Sequence, residues 1–228
     1  MDTGLLMLPY NLPKSRRKEI RFLVATSNTH KLREISHILK SPVSGHDSWV
    51  KESGKTFEEN AIKKAKAIAK RFGQIAIADD SGLMVNCLKG RPGVRSARFA
   101  LPPTPNNLCG KLLRVIRSRC ANRNAKFVCA IAVAYPSGKV KVVKGIVRGR
   151  IIHEMRGKHG FGYDPVFVPA GYKKTFAEMK PSMKNRISHR ARALRKLKRI
   201  LAPEIVRWCA RQESNLLPIA SKAIALSR

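Results

Sequence analysis

Hydrophobic and polar positions predict a strand and then a helix near the start of the chain. Phe22 to Ala25 is a short apolar run, and the polar segment Thr26 to Lys31 follows it. Leu32, Ile35 and Leu39 then recur at the spacing of one helix face. The pattern predicts a buried strand, a tight polar turn and an amphipathic helix.

A second unit of helix and strand begins at Thr56. Its hydroxyl can accept from a first-turn amide while Glu59 reaches back, as in a capping box. Apolar residues then form one helix face with lysines opposite, and Gly73 ends the helix. The apolar run 75–78 is predicted to be a short strand that leads into a loop at residues 79–82.

The second half of the chain predicts a hairpin and two further helices. Residues 127–135 and 139–147 are rich in β-forming residues and are joined by a Pro-Ser-Gly turn. Helical patterns cover residues 107–118 and, as one basic amphipathic helix, residues 182–201. Early alternation of strands and helices followed by a hairpin favours an α/β fold with a mixed sheet.

Composition narrows the class of protein. Of the 228 residues, 43% are hydrophobic, which suffices for a core and excludes a disordered or fibrous chain. Lys and Arg number 47 against 14 Asp and Glu, a formal charge of +33 that predicts attraction to polyanions. We expect a poorly ordered basic leader at 1–20, one folded domain at 21–201, and an extension at 202–228.

The cysteines and the apolar runs indicate the cellular compartment of the protein. Five cysteines form no C-x-x-C pair and no zinc pattern, which predicts reduced thiols in a cytoplasmic protein. No apolar run approaches the roughly 18 residues that a membrane helix needs. We therefore expect a cytoplasmic protein with no membrane partner.

The most informative chemistry lies at the adjacent carboxylates Asp79 and Asp80. In so cationic a chain, two acids where a strand meets a loop can supply oxygens for Mg²⁺ or a base for water. An ordinary turn whose carboxylates pair with surplus lysines is the alternative. Residues 26–31 precede a helix and could cradle phosphate, although Ser27 or Asn28 could equally be a simple N-cap.

Two later segments are weaker candidates. In residues 160–165, two glycines flank Phe161, which could stack on a base, or else the segment is a tight turn with core aromatics. Residues 184–199 carry eight Lys or Arg and no acid, including Arg190, whose planar donors suit carbonyl or phosphate oxygens. Such a run is also typical of a solvated helix face or of nonspecific nucleic-acid contact.

Four blocks stand in one order along the chain: residues 25–31 with Glu34; 54–61; 78–83 with 92–98; and 160–165 with 173–179 and 187–190. Together they resemble the inosine/xanthosine triphosphate pyrophosphatases, the Ham1-like family. The resemblance covers roughly residues 21–201. It implies an elongated α/β fold with a central mixed sheet, two lobes with a nucleotide cleft between them, and a homodimer.

The resemblance also implies the site residues. The triphosphate would be held by Thr26, Ser27, Asn28, Thr29, His30 and Lys31. Mg²⁺ would be bound by Glu52 and Asp80, with Asp80 also the catalytic base and Ser81 touching substrate. The base pocket, favouring a 6-keto purine, would be lined by Phe161, Gly162, Tyr163, Asp164, Lys184, His189 and Arg190.

The function implied is Mg²⁺-dependent hydrolysis of ITP, dITP and XTP to the monophosphate and pyrophosphate. This would remove deaminated purines from the nucleotide pool. Two alternatives remain open: the same fold acting as a basic nucleic-acid-binding protein, and a related pyrophosphatase for other modified nucleotides.

Overall fold

A single mixed sheet organises the part of the chain that the computed structural model describes, residues 22–40, 42–117 and 121–201. Six strands are found there, in the order β2-β1-β3-β4-β5-β6. They are β1 (Phe22–Ala25), β2 (Val43–His46), β3 (Ala76–Val85), β4 (Asn124–Ala134), β5 (Val140–Ile151) and β6 (Phe167–Pro169). Strand β1 is parallel to β2 and β3, and the other pairs are antiparallel. The predicted α/β fold with a mixed sheet is confirmed, while the leader 1–20 and the extension 202–228 lie outside the described residues.

The helices cover both faces of this sheet. They are α1 (Thr29–Leu39), α2 (Phe57–Phe72), α3 (Pro105–Arg117), α4 (Pro181–Ile187) and α5 (described residues 189–201). Helix α2 packs on one face through small side chains such as Ala61 and Ala65. Helices α1 and α5 pack on the other face, and α3 joins a third cluster with the aromatic residues of β4 and β6.

The predicted single helix over 182–201 is wrong, because the chain breaks at Ser188. The backbone of Ser188 is extended, with φ −62° and ψ 160°. Its hydroxyl accepts a hydrogen bond from the Ala191 amide at 3.1 Å, so Ser188 caps the next helix as an N-cap does. This break separates α4 from α5 and places His189 and Arg190 in the first turn of α5.

Strand β3 is longer than predicted and includes the expected loop at residues 79–82. Its register with β4 is continuous, and Asp79 lies opposite Ile131 while Asp80 lies opposite Ala130. Pairing with this long apolar strand outweighs the turn preference of the Asp-Asp-Ser-Gly sequence. Successive side chains in a strand point to opposite faces, so Asp79 and Asp80 are not a side-by-side pair.

The cysteines differ in part from the expectation of reduced thiols. Cys109 and Cys129 are free and buried, as expected. Cys87, however, takes part in a disulfide bond, so the expectation is wrong at that residue. Among the described residues, no helix has the length and apolar character needed to cross a membrane.

Candidate active site

The site lies where β1 ends and leaves the edge of β3 open. Strand β1 pairs with β3 only at Leu23 and Val24, opposite Ala76 and Ile77. Beyond that point the Asp79 carbonyl accepts from Lys64 Nζ at 2.9 Å and from Lys31 Nζ at 3.5 Å. Two lysines from different helices therefore meet at one main-chain oxygen, at the carboxyl end of a parallel strand where α/β folds place ligands.

The face of β3 that carries Asp79 is a buried ion network. Arg190 Nε donates to Asp79 Oδ2 at 3.1 Å, and Lys31 Nζ lies 2.5 Å from Oδ1. Ser81, two residues farther on the same face, donates to Asp79 and accepts from Arg190. Although burial raises the pKa of Asp79, Arg190 and Lys31 outweigh it and hold the pKa well below its usual range. Asp79 is thus an ionised anchor.

The opposite face carries Asp80 in a different setting. Asn60 Nδ2 donates to Asp80 Oδ2 at 3.0 Å, and Lys64 Nζ lies 3.7 Å from Oδ1. The same Nζ lies 2.8 Å from Glu52 Oε1. Burial, with a contribution from the Glu52 charge, raises the pKa of Asp80 despite Lys64. A carboxylate with a raised pKa in a lined site is suited to accept a proton.

Lys64 departs from the prediction that the lysines of α2 lie on its outer face. It is buried between Ala61 and Ala65, on the apolar side of the helix. Its position is explained by the carboxylates of Glu52 and Asp80, which raise its pKa although burial lowers it. Asn60, one turn earlier, accepts from the Gly54 amide at 2.8 Å, so α2 contributes two polar side chains to the site.

Glu52 and Asp80 converge on the ammonium of Lys64, so a divalent cation bound by both carboxylates would lie beside that ammonium or displace it. Both carboxylates approach Lys64 Nζ, which shows that a cation can lie between them. Within the described residues there is no group of three or more His, Cys, Asp or Glu side chains that could hold a metal ion. Two carboxylates without a third protein ligand suit Mg²⁺, which usually keeps waters and takes further oxygens from phosphate.

The segment Thr26 to Lys31 forms the N-terminus of α1. Asn28 is the N-cap, and its side chain accepts from the Lys31 amide at 3.1 Å. Thr26 Oγ1 accepts from the Asn28 amide at 3.2 Å, which fixes the turn. Ser27, Thr29 and His30 are exposed and no acid stands in the first helical turn, so the helix end can accept an anion.

The aromatic side of the site centres on Phe161. The His30 ring stacks on it with centroids 5.3 Å apart, and Lys184 Nζ lies 4.6 Å from the ring centroid. His30 therefore contacts the predicted base pocket, although the resemblance assigned it to the triphosphate loop. These three residues line a cavity of about 330 Å³ between α1 and the start of α4.

Below Phe161, two cations are neutralised by three carboxylates. Lys184 Nζ lies 2.7 Å from Glu34 Oε1 and 2.6 Å from Asp164 Oδ2. Arg190 pairs with Glu34 as well as with Asp79. Arg190 and Lys184 outweigh burial and lower the pKa of Glu34 to about 2. Burial, aided by Glu34, raises the pKa of Asp164 against Lys184.

The remaining predicted pocket residues are placed differently. Tyr163 is buried in the core and its hydroxyl donates to the Ser96 carbonyl at 2.9 Å, so the structure does not bring it to the cavity. His189 is buried against Phe127, and its Nδ1 has no hydrogen-bond partner. Burial and Arg190 lower the pKa of His189 to about 3, which keeps the ring neutral. Gly162 accepts from Cys109 Sγ through its carbonyl.

Sequence reasoning did not assign roles to Glu34, Asn60, Lys64 or Arg98. Arg98 Nη1 donates to Glu52 Oε2 at 3.0 Å and steadies a carboxylate that Lys64 also holds. Lys64 had one visible signal, since it interrupts the alanines of the helix face that was predicted to be buried. Glu34 had another, because acids are scarce and it stands one turn after Lys31.

Comparison with known proteins places this geometry in one family. The model of the Ham1 family matches residues 22–200. A dITP/XTP pyrophosphatase of Desulforamulus reducens is 45% identical over 194 residues, which cover 80% of this chain and 96% of that protein. The dITP/XTP pyrophosphatase of Bacillus subtilis is 44% identical over 189 residues, 78% of this chain and 96% of that protein.

Solved structures agree with these relatives. A HAM1 protein from Coxiella burnetii has a TM-score of 0.73 and 36% identity, and the match covers 80% of this chain and 98% of that one. The Staphylococcus aureus Ham1 protein has a TM-score of 0.72 and 37% identity, covering 81% and 99%. With the family match spanning most of its length, the chain belongs to the Ham1 family.

Proposed function

We propose that the chain hydrolyses dITP, ITP and XTP to the nucleoside monophosphate and pyrophosphate. The observation that carries the proposal is the convergence of Glu52 and Asp80 on the Lys64 ammonium, near the N-terminus of α1, whose first turn contains no acid. The matches to relatives named dITP/XTP pyrophosphatase span nearly the whole length of those relatives. A related pyrophosphatase for other modified nucleotides would need a different set of contacts around Phe161.

The triphosphate is assigned to the α1 N-terminus and the lysines beside it. A nucleoside triphosphate carries about four negative charges, and the free first-turn amides of α1 face no acid in that turn. Lys31 and Lys64 meet at the Asp79 carbonyl, which would place two neighbouring positive charges beside a phosphate chain. Preorganised cations of this kind stabilise the charge that develops in phosphoryl transfer.

Asp80 is assigned the role of general base. Its raised pKa lets it take a proton from a water molecule, whose oxygen then attacks the α-phosphorus. The bond from the α-phosphorus to the bridging oxygen breaks, and pyrophosphate leaves. Mg²⁺ held by Glu52 and Asp80 would supply neutralisation of the phosphate charge.

The base is assigned to the cavity at Phe161. Lys184 keeps a third N–H beyond those that face Glu34 and Asp164, and a protonated amine can donate to the O6 of a 6-keto purine. The 6-amino group of adenine would bring a donor against a donor, which costs affinity. The N–H groups of Arg190 donate to Glu34, Asp79 and Ser81. We therefore assign Arg190 the role of holding these side chains in position.

Two wider expectations go with this proposal. We place the activity in the cytoplasm, where it would clear deaminated purines from the nucleotide pool. We also expect a homodimer, as the family resemblance implies, and sedimentation of the purified chain would test it. A mass equal to one chain at micromolar concentration would contradict the second expectation.

The test is pyrophosphate release from ITP, GTP and ATP with and without Mg²⁺. We expect turnover of ITP well above that of ATP, because adenine lacks O6, and above that of GTP, in line with the relatives named dITP/XTP pyrophosphatase. We expect no turnover after chelation of the metal. Equal turnover of all three would contradict the base assignment at Lys184 and Phe161. Undiminished turnover with chelator would contradict the metal assignment to Glu52 and Asp80.

A further inference from the structure

A second groove lies at the other end of the sheet, apart from the proposed active site. Its volume is about 520 Å³, and it is formed where β4 begins, β5 ends and β6 pairs with β5. It is lined by Asn86, Asn124, Ala125, Lys126, Arg148, Gly149, Arg150, Val168, Pro169, Ala170, Gly171 and Tyr172. None of these belongs to the site described above.

The groove floor is a part of the α2 face of the sheet that α2 does not cover. Helix α2 begins beside Asp80, to which its Asn60 donates, and runs from there over the alanines of β3 and β4. The side chains of Lys126 and Arg148 project on this face, since their neighbours Phe127 and Val147 enter the core on the other. The sheet is therefore open from this pair outward.

The charges on this open surface are all of one sign. Lys126 lies directly opposite Arg148 in the register of β4 and β5, and Asn124 lies opposite Arg150. Like charges that face each other across a strand pair destabilise the sheet. Within the described residues no carboxylate pairs with Lys126, Arg148 or Arg150, and none lines the groove. An anionic ligand would relieve this repulsion.

The groove also offers a surface for stacking. Tyr172 lies at its edge with 41% of its surface exposed, so its ring is available for stacking. Asn86 and Asn124 add amide groups that can both donate and accept. Cations that follow a backbone, together with an exposed aromatic ring, are the combination by which proteins bind single-stranded nucleic acid.

We propose that this groove binds the phosphate backbone of single-stranded nucleic acid, with one base stacked on Tyr172. The proposal does not depend on the proposed catalytic function. It assigns three of the 47 Lys and Arg residues to a defined surface, which is separate from the basic run at 184–199 that the sequence suggested. Met84, which pairs with the groove residue Lys126, lies four residues along β3 from Asp80, about 13 Å away at the usual rise of a strand.

The test is fluorescence anisotropy of labelled oligothymidylate and oligouridylate of about 12 nucleotides, titrated with the full chain between about 50 and 200 mM salt. The groove variant combines Lys126→Gln, Arg148→Gln and Arg150→Gln. The matched control removes the same charge from the exposed face of α5 by Arg195→Gln, Lys196→Gln and Arg199→Gln.

We expect the groove variant to bind at least tenfold more weakly, with a slope of log K against log salt that is smaller by about 2, since each lost phosphate contact lowers it by about 0.7. The α5 control should change affinity less than threefold. Tyr172→Ala should weaken binding with the salt slope unchanged, and Tyr172→Phe should restore it. Pyrophosphate release should be the same in all of these variants.

Three results would overturn the proposal. Equal losses in the groove and α5 variants would show that only net charge matters. Displacement of the oligonucleotide by inorganic tripolyphosphate at equal phosphate concentration would show that the ligand is a small free anion. A change in sedimenting mass in the groove variant, with oligonucleotide binding intact, would show that a second copy of the chain covers the groove.

Discussion

Asp79 and Asp80 are neighbours in sequence and opposites in environment. Asp79 faces α1 and α5, where Arg190 and Lys31 hold its pKa well below its usual range. Asp80 faces α2, where burial and Glu52 raise its pKa, and the charges of Lys64 and Lys31 with the Asn60 hydrogen bond offset this only in part. Strand geometry alone separates the two carboxylates, since adjacent side chains point to opposite faces.

The opposite pKa shifts of Asp79 and Asp80 indicate different roles, one in stability and one in chemistry. A carboxylate whose pKa is lowered on folding stabilises the fold as long as it is ionised, and a raised pKa has the opposite effect. Asp79 is therefore an anchor that holds α5 to the sheet, and Asp80 is held in a state that suits proton transfer at the expense of stability. Residues kept in unfavourable surroundings are typical of functional sites.

The largest expected effect on stability comes from Asp79→Asn. It leaves the buried Arg190 without one of its two carboxylates, and we expect the free energy of unfolding in urea to fall by about 3–5 kcal/mol at neutral pH. The control is Asp80→Asn, the same chemical change one residue away, for which we expect an unchanged or higher free energy of unfolding. A loss of stability of the same size in both variants would remove the distinction between the faces.

Acid should weaken the Asp79 side of the sheet through Glu34. Its pKa falls from 4.5 to about 2 on folding, so its contribution is complete above pH 4.5 and is lost as the pH falls toward 2. The lost contribution is about 3 kcal/mol, and Glu34→Gln should flatten the fall in unfolding free energy over that range. Parallel pH profiles of wild type and variant, measured by urea unfolding, would contradict this.

Glu52→Gln tests whether the carboxylates on the Asp80 face carry the catalytic activity. Loss of one of two carboxylates should lower pyrophosphate release from ITP about 100-fold, or roughly 3 kcal/mol of transition-state stabilisation, with partial recovery at high Mg²⁺. Stability should also fall, though less than in Asp79→Asn, because Lys64 and Arg98 lower the pKa of the half-buried Glu52 against burial, and its loss leaves the buried Lys64 with only Asp80, 3.7 Å away. The matched control is Glu58→Gln on α2, whose carboxylate pairs with Lys144 outside the site. Equal activity loss in the control would contradict a specific role for Glu52.

The smallest effect is expected at His30. Its ring stacks on Phe161 at 5.3 Å, too close for a base to lie between them, so a purine that stacks there must displace it. We expect His30→Ala to lower KM for ITP about threefold with kcat unchanged, because an aromatic pair contributes about 0.5–1.5 kcal/mol. His37→Ala, on the same helix and lining the same cavity, is the control. A raised KM in His30→Ala would mean that the ring helps to hold the base.

Local patterns sufficed for much of this fold. The strand at Phe22, the N-cap at Thr56 and the hairpin after Tyr135 depend on neighbours in sequence, and the structure has all three. The extension of β3 through Asp79 depends on pairing with β4, some fifty residues away, which no local signal reveals. Turn preference therefore suggested a loop where tertiary pairing forms a strand.

The site residues also fall into those that local sequence suggested and those that depend on tertiary contacts. The segment 26–31 was a candidate phosphate site because it precedes a helix, and the family resemblance assigned the triphosphate to it, although an ordinary N-cap has the same composition. Glu34 and Lys64 each had a weak signal in the sequence, but their roles could not be assigned from it, because each role is defined by partners that only folding brings near. Glu34 contacts Lys184 and Arg190 across 150 and 156 positions of the chain. Tyr163 is the opposite case: the motif in the sequence suggested a base-pocket residue, but its hydroxyl donates to the Ser96 carbonyl in the core.

Pyrophosphate release from ITP by Asp80→Asn, measured with urea unfolding of the same preparation, tests the division between the two carboxylates most directly. We expect release to fall about a thousandfold, within the range of a lost general base, while the free energy of unfolding stays the same or rises. Release within tenfold of wild type in a folded Asp80→Asn variant would contradict the assignment of the chemistry to Asp80.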